Sequence, residues 1–217
     1  MQPWKTLATV ATDEGPLELR QRGDVFLIVI AGRVLMTSND RRSEQALATL
    51  ACQPLTGPRP RVLIGGLGMA YTVRAALDAL PPHAEVEVAE LTPAIEAWCR
   101  GPLAELTGRA LDDPRVRVVI GDVARRIADA RAGHYDAILL DLYEGPHAAT
   151  QRADDPFYSR AALDRTHAAL AAGGVFSVWS EEPDDAFAQR FARAGFTVEA
   201  HRLGKPKRHV VYLGRRG

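Results

Sequence analysis

The sequence predicts an α/β fold, a mostly parallel sheet with helices on both faces, preceded by a small antiparallel meander. Three observations carry that reading. From Arg61 onward, apolar runs of strand length alternate with segments of helical spacing, the pattern of repeated βα units. The run Tyr135–Leu140 is almost continuously apolar, as in a strand buried on both faces. Before Leu55 the style differs, with short strands separated by two-residue turns, which is how antiparallel hairpins are joined.

In chain order, Leu17–Arg20, Val25–Ile30 and Arg33–Thr37 read as the strands of the meander, turning at Gly23-Asp24 and Ala31-Gly32. A helix follows from Ser43 to Cys52, with Ala46, Leu47, Leu50 and Ala51 on one face. Gln53–Pro60 holds three prolines and one glycine, so it is a connector between an N-terminal unit, residues 1–55, and a main domain, residues 56–217. Val62–Ile64 is a strand that breaks into glycines before a helix over Tyr71–Ala79. Glu85–Ala89 is the next strand, and Thr92-Pro93 opens a helix, proline being suited to a first turn. Val116–Ile120 is a strand, Val123–Ala132 a helix, and Tyr135–Leu140 the central strand. Helix Ala161–Ala171, strand Val175–Trp179 and helix Asp184–Ala194 follow. Phe196–His201 and His209–Leu213 close the chain as a hairpin with a basic loop. Ligands of such sheets bind beyond the carboxyl ends of the strands.

Bulk properties narrow the function. The 217 residues are 47% hydrophobic and 25% charged with formal net charge +0, so no global field draws in nucleic acid or an anionic membrane. The longest apolar run, Val25–Ala31, is far too short to span a bilayer. The first residues lack the pattern of a signal peptide. Cys52 and Cys99 have neither metal nor redox spacing, and read as reduced thiols of a cytoplasmic protein. The six histidines show no ligand spacing, so no metal is expected.

The chemistry gathers at predicted strand ends. Gly65 and then Gly66-Leu67-Gly68-Met69-Ala70 form a small–x–small–x–small loop, the form seen in S-adenosylmethionine sites. Tyr71 occupies the place where a dinucleotide fingerprint needs Gly or Ala. A glycine turn with no ligand is the plain alternative. Glu90 ends the second strand of the main domain, where a carboxylate accepts from vicinal ribose hydroxyls or simply favours the helix start after it. Asp122 ends the third, and can accept from an adenine amine, cap the following helix, or do both. Asp141 ends the fourth, where an acid is costly without a partner or water. Glu144 lies three residues on, and paired carboxylates at a cleft mouth suit binding a substrate ammonium and taking its proton. Tyr143 and Tyr158 either line the acceptor pocket or pack. The polar segment Glu144–Pro156, with His147 in it, reads as a gate over the site.

These residues resemble the spermidine/spermine synthase family, within the class I S-adenosylmethionine-dependent methyltransferase superfamily. The resemblance runs through the meander, the glycine loop with Thr72 and Arg74, Glu90, Gly121-Asp122, Asp141–Pro146, Phe157-Tyr158 and the terminal hairpin. It implies a Rossmann-like seven-stranded sheet and a sulfonium donor, S-adenosylmethionine or its decarboxylated form, held by the glycine loop, Glu90-Leu91, Gly121-Asp122-Val123 and Asp141. Asp141 takes the position of the family's catalytic aspartate, and Glu144 that of a second acid. Two departures bear on the reaction. Family members using the decarboxylated donor carry an aspartate in the glycine loop, here aligned with Met69. The family's Tyr-His-Glu acceptor element is Arg42-Ser43-Glu44, leaving only Glu44. An aminopropyl ammonium facing Met69 loses one charge-assisted bond, about 1.5–3 kcal/mol. The expectation is therefore alkyl transfer to a small-molecule amine, with methyl preferred over aminopropyl and a catalytically inactive nucleoside binder as the rival. A homodimer is the only protein partner foreseen.

Overall fold

The computed structural model describes residues 2–143, 145–147, 150, 152–203 and 209–217. It contains two sheets. The first is antiparallel, in the order β1 (Lys5–Thr12), β2 (Gly15–Arg22), β3 (Val25–Ile30), β4 (Arg33–Thr37). The sequence reading has three strands here, and β1 is the addition. Its pairing with β2 shifts register between Thr6 and Ala8. That irregularity breaks the strict alternation by which strands are recognised, and consecutive Leu7 and Ala8 both pack on the core.

The second sheet has seven strands in the order β10-β11-β9-β8-β5-β6-β7, with only the β10–β11–β9 pairings antiparallel. Its strands are β5 (Arg61–Gly65), β6 (Glu85–Glu90), β7 (Val116–Ile120), β8 (Tyr135–Leu140), β9 (Leu170–Ser180), β10 (Phe196–Arg202) and β11 (Val210–Arg216). The expected architecture is present, terminal hairpin included. Chain order reverses between β5 and β8, and a crevice opens at such a point beyond the strand ends.

The helices are α1 (Arg42–Cys52), α2 (Tyr71–Ala79), α3 (Pro93–Arg100), α4 (Val123–Ala128), α5 (Arg160–Ala169) and α6 (Asp185–Arg193). Local chemistry sets their starts. The side chains of Asp122, Ser159 and Asp184 accept from backbone N–H groups at the heads of α4, α5 and α6, and Pro93 occupies the first turn of α3. Helix α4 stops four residues earlier than its apolar spacing suggests, and Gly133 in left-handed conformation turns the chain toward β8. Strand β9 begins at Leu170, earlier than expected. Its pairing with β8 breaks between Tyr135 and Ala137 and resumes at Val175, the predicted start.

Helix α1 fixes how the two sheets meet. Leu47, Ala48, Ala51 and Cys52 are fully buried, in one apolar cluster with Leu19 and Ile28 of the first sheet and Ile64 and Leu139 of the second. The Ser177 hydroxyl on β9 donates to the Leu47 carbonyl at 3.3 Å.

Candidate active site

Three backbone hydrogen bonds carry the sheet ladder one residue past the strands. Gly66 N–H donates to the Ala89 carbonyl, Gly121 N–H to the Glu90 carbonyl, and Asp141 N–H to the Gly65 carbonyl, each at 2.9 Å. Four loops are thereby pinned at one level, at the carboxyl ends of β5, β6, β7 and β8.

The glycine loop explains its own spacing. Gly66, Gly68 and Ala70 all have positive φ, at 84°, 51° and 62°. Small residues alternate because every second residue is left-handed, a conformation that a Cβ resists. At Gly66 a Cβ would also meet the Asp141 carbonyl oxygen at 2.5 Å. Glu90 clips the loop to β6, its carboxylate accepting from Leu67 N–H at 2.9 Å and Thr92 N–H at 2.8 Å. Burial pushes the Glu90 carboxyl upward, against those backbone bonds. The Cys99 thiol, itself pushed up to about 12 by burial, donates to the Gly68 carbonyl at 3.2 Å.

Beside this loop the ends of β6 and β7 carry an acid and exposed apolar side chains. Asp122 caps α4 through Oδ1, at 2.8 Å from Ala124 N, and its Oδ2 makes no hydrogen bond among the described residues. Leu91, 70% exposed, and Ile120, 44% exposed, leave apolar surface at the lip.

Asp141 stands on the other side of the loop. Thr72, buried at the start of α2, donates its hydroxyl to Asp141 Oδ2 at 2.5 Å. Burial, and then the like charge of Glu44, raise the Asp141 carboxyl to about 7, while the Thr72 bond opposes the rise. Glu44 reaches this point from α1, with its Oε2 accepting from the Ser43 hydroxyl at 2.7 Å. Each of the two carboxylates thus has one hydroxyl donor.

Glu44 also lines a cleft of about 760 Å³ between β4, α1 and the end of β9. Arg33, Tyr143, Trp179, Glu182 and His209 contribute to its walls. Tyr143 bridges its mouth. The Arg33 guanidinium lies 5.0 Å from the ring centroid and donates to the hydroxyl at 3.0 Å, and that hydroxyl donates to Glu14 at 3.2 Å. Asp40, Glu181, Glu182 and Asp184 line the same space as Glu44, so the cleft is acidic.

The family model of the spermine/spermidine synthase domain matches residues 51–186, more than half of the chain. This chain belongs to the spermine/spermidine synthase family. Curated relatives carry two kinds of name. Putrescine N-methyltransferase 4 of Nicotiana tabacum is 31% identical over 57% of this chain and 31% of its own length. Polyamine aminopropyltransferase 2 of Streptomyces coelicolor is 34% identical over 62% of this chain and 24% of its own length. The polyamine aminopropyltransferase of Mycobacterium tuberculosis is 30% identical over 76% of this chain and 30% of its own length. The matches thus take in less than a third of these relatives' length. The fold is that of spermidine synthase from Thermotoga maritima, with TM-score 0.76 and 20% identity over 98% of this chain and 73% of that one. A spermidine synthase in complex with the transition state analogue AdoDATO gives TM-score 0.75 at 19% identity, over 98% of this chain and 72% of that one.

Within this family frame, some expected site residues stand elsewhere. Tyr158 is 1% exposed and packs edge-on against Phe187 in the core, so it offers no surface to an acceptor. Met69 is fully buried, and Leu67 and Val123 nearly so. The loop therefore leaves glycine backbone at its surface, with the Met69 side chain in the core cluster. Tyr143 and Glu44 both line the acidic cleft. Glu144 lies outside the described residues. At Gly145, the next residue, a Cβ would meet the Trp179 carbonyl at 2.5 Å. Thr72, Ser43, Arg33 and Trp179 received no role from sequence alone. Of these Thr72 left a signal, a small polar residue one position inside the helix that follows the glycine loop.

Proposed function

We propose that this chain is an alkyl transferase that uses an adenosyl sulfonium donor and an amine acceptor. The observation that carries the reading is Asp141, a carboxyl raised to about 7 beside the glycine loop, with Glu44 joining it to an acidic cleft. A base poised near neutral pH suits removal of a proton from an ammonium. In this reading Glu90 and the open Oδ2 of Asp122 hold ribose and adenine, and Leu91 covers the base. The acid-lined cleft draws in the cationic acceptor and orients it. Asp141 takes the ammonium proton, freeing the nitrogen lone pair for attack. When bound, the donor supplies a carbon attached to positive sulfur, which leaves as a neutral thioether.

Methyl transfer is the form we favour. By the family resemblance, users of the decarboxylated donor keep an aspartate in the glycine loop. Gly66–Ala70 contains no acid at any position, a stronger statement than the loss at Met69 alone. Aminopropyl transfer is the second reading, supported by relatives named polyamine aminopropyltransferase.

Calorimetric titration with S-adenosylmethionine, its decarboxylated form, methylthioadenosine and S-adenosylhomocysteine discriminates the two. Methyl transfer requires tight S-adenosylhomocysteine binding and methylated products from a panel of diamines and monoamines followed by mass spectrometry. Tight methylthioadenosine binding with indifference to S-adenosylhomocysteine transfers the assignment to aminopropyl chemistry. Binding of every nucleoside without product from any amine defeats the enzymatic reading.

A further inference from the structure

We propose that Thr72 is a positioning residue for the base: its hydroxyl fixes the Asp141 carboxylate by Oδ2 and leaves Oδ1 to receive the acceptor's proton. The inference rests on the reading of Asp141 given above and extends it to a residue on another element.

The geometry makes one unit of the glycine loop, α2 and Asp141. Asp141 N–H donates to the Gly65 carbonyl at 2.9 Å, and its own carbonyl fills the space beside Gly66. Its side chain is tied by Thr72 at 2.5 Å. Thr72 is 1% exposed and second in α2, so its position follows from the loop that ends one residue before that helix. A helical threonine otherwise tends to bond the carbonyl four residues back. Here that carbonyl belongs to Gly68 and accepts the Cys99 thiol. The Thr72 hydroxyl bonds Asp141 Oδ2 instead, and Asp141 Oδ1 makes no hydrogen bond among the described residues. Among the described residues, the charged group that faces Asp141 is Glu44 from α1. Glu44 in turn holds the Ser43 hydroxyl and, with Arg41, acts on Tyr71.

Two consequences follow. First, the hydroxyl stabilises the ionised form of Asp141 against burial and against Glu44, so it sets the pH at which the base becomes available. Second, with one oxygen tied, the carboxylate cannot rotate both oxygens toward the amine, which fixes the direction of proton transfer relative to the donor loop.

The test compares Thr72→Val, which keeps the branched shape, with Thr72→Ser, which keeps the hydroxyl, and Thr72→Ala in case the valine is not accommodated. Asp141 is followed directly through its carboxyl carbon by NMR across pH in ligand-free protein, with Asp141→Asn supplying the assignment. Loss of the hydroxyl should raise the Asp141 midpoint by about one to two pH units, the size of a hydrogen bond to a charged group, and Thr72→Ser should return it toward wild type. With S-adenosylmethionine and whichever amine yields product, the acid limb of kcat should move upward by the same amount. The dissociation constant for S-adenosylmethionine should stay within about threefold, roughly 0.7 kcal/mol. An unmoved midpoint in both Thr72→Val and Thr72→Ala overturns the inference. So does a loss of donor affinity in those variants with the pH profile unchanged, which would make Thr72 part of the donor site. Full turnover in Asp141→Asn is a different result: it removes the base itself, whatever the midpoints do.

Discussion

A carboxyl raised to about 7 in the folded chain has a consequence for stability as well as for proton transfer. Asp141 binds its proton more tightly folded than unfolded, where an aspartate titrates near the ordinary value of about 3.9. Between those two values the folded state holds more protons, so stability falls as pH rises through that window. Below it the cost is absent, and above it the full cost of a poorly solvated charge beside Glu44 is present. Replacing Asp141 with asparagine removes the charge and keeps the shape. Thermal unfolding should therefore find Asp141→Asn more stable than wild type at pH 8, by up to a few kcal/mol, with the gap closing toward pH 4. A constant gap, or a less stable variant at pH 8, contradicts the strained state of this side chain. Sequence alone marked Asp141 because an acid directly after a buried strand is expensive. It could not mark Thr72 as the donor, because 69 positions separate the two and only the pairing of β5 with β8 brings them together.

The glycine loop is the element in which local sequence determines most. The alternation of Gly66, Gly68 and Ala70 is legible because left-handed backbone excludes most side chains. The burial of Met69 is not legible in the same way, because alternation says which residues bend, and says nothing of where the intervening side chains go. They go inward. Two glycines at the ends of β5 and β7 separate folding from binding. At Gly66 a Cβ combines positive φ with a backbone oxygen 2.5 Å away. Gly66→Ala should cost roughly 2–4 kcal/mol and displace Asp141 with the loop. At Gly121 nothing stands within 4 Å of a Cβ and φ is ordinary. Gly121→Ala should change stability by no more than about 0.5 kcal/mol, yet weaken nucleoside binding if the base lies against that strand end. Paired denaturation and calorimetry on the two variants read this contrast directly, and equal losses of affinity without any loss of stability at Gly66 would contradict the geometry.

For the molecule as a whole, the composition shift near residue 55 suggested a boundary, and the division at 1–55 and 56–217 reads the proline-rich connector as a seam. Packing across that boundary bears on how the two parts unfold. Helix α1 precedes that connector in the chain but is buried with the main sheet, its Leu47 fully enclosed and its carbonyl held by Ser177 of β9. Leu19 and Ile28 of the meander join the same cluster. The connector was legible as a loop because its prolines interrupt both kinds of ladder, but a loop is a seam only where few contacts cross it, and sequence does not report contacts. It follows that the two sheets should melt together. Leu47→Ala should lower stability by about 2–5 kcal/mol while unfolding still proceeds in one cooperative step, followed in parallel by calorimetry and by Trp4 and Trp179 fluorescence. Trp4 precedes β1 and Trp179 lies in β9, so the two probes report the two sheets. Resolving them takes Trp4→Phe and Trp179→Phe variants, each with the shared contribution of Trp98 held constant. Coincident midpoints are the result that one shared core requires. An earlier transition at Trp4 alone, insensitive to Leu47→Ala, would restore the boundary at residue 55. It would also detach β4 and Arg33 from the wall of the acidic cleft, leaving the proposed acceptor site dependent on a unit that opens on its own.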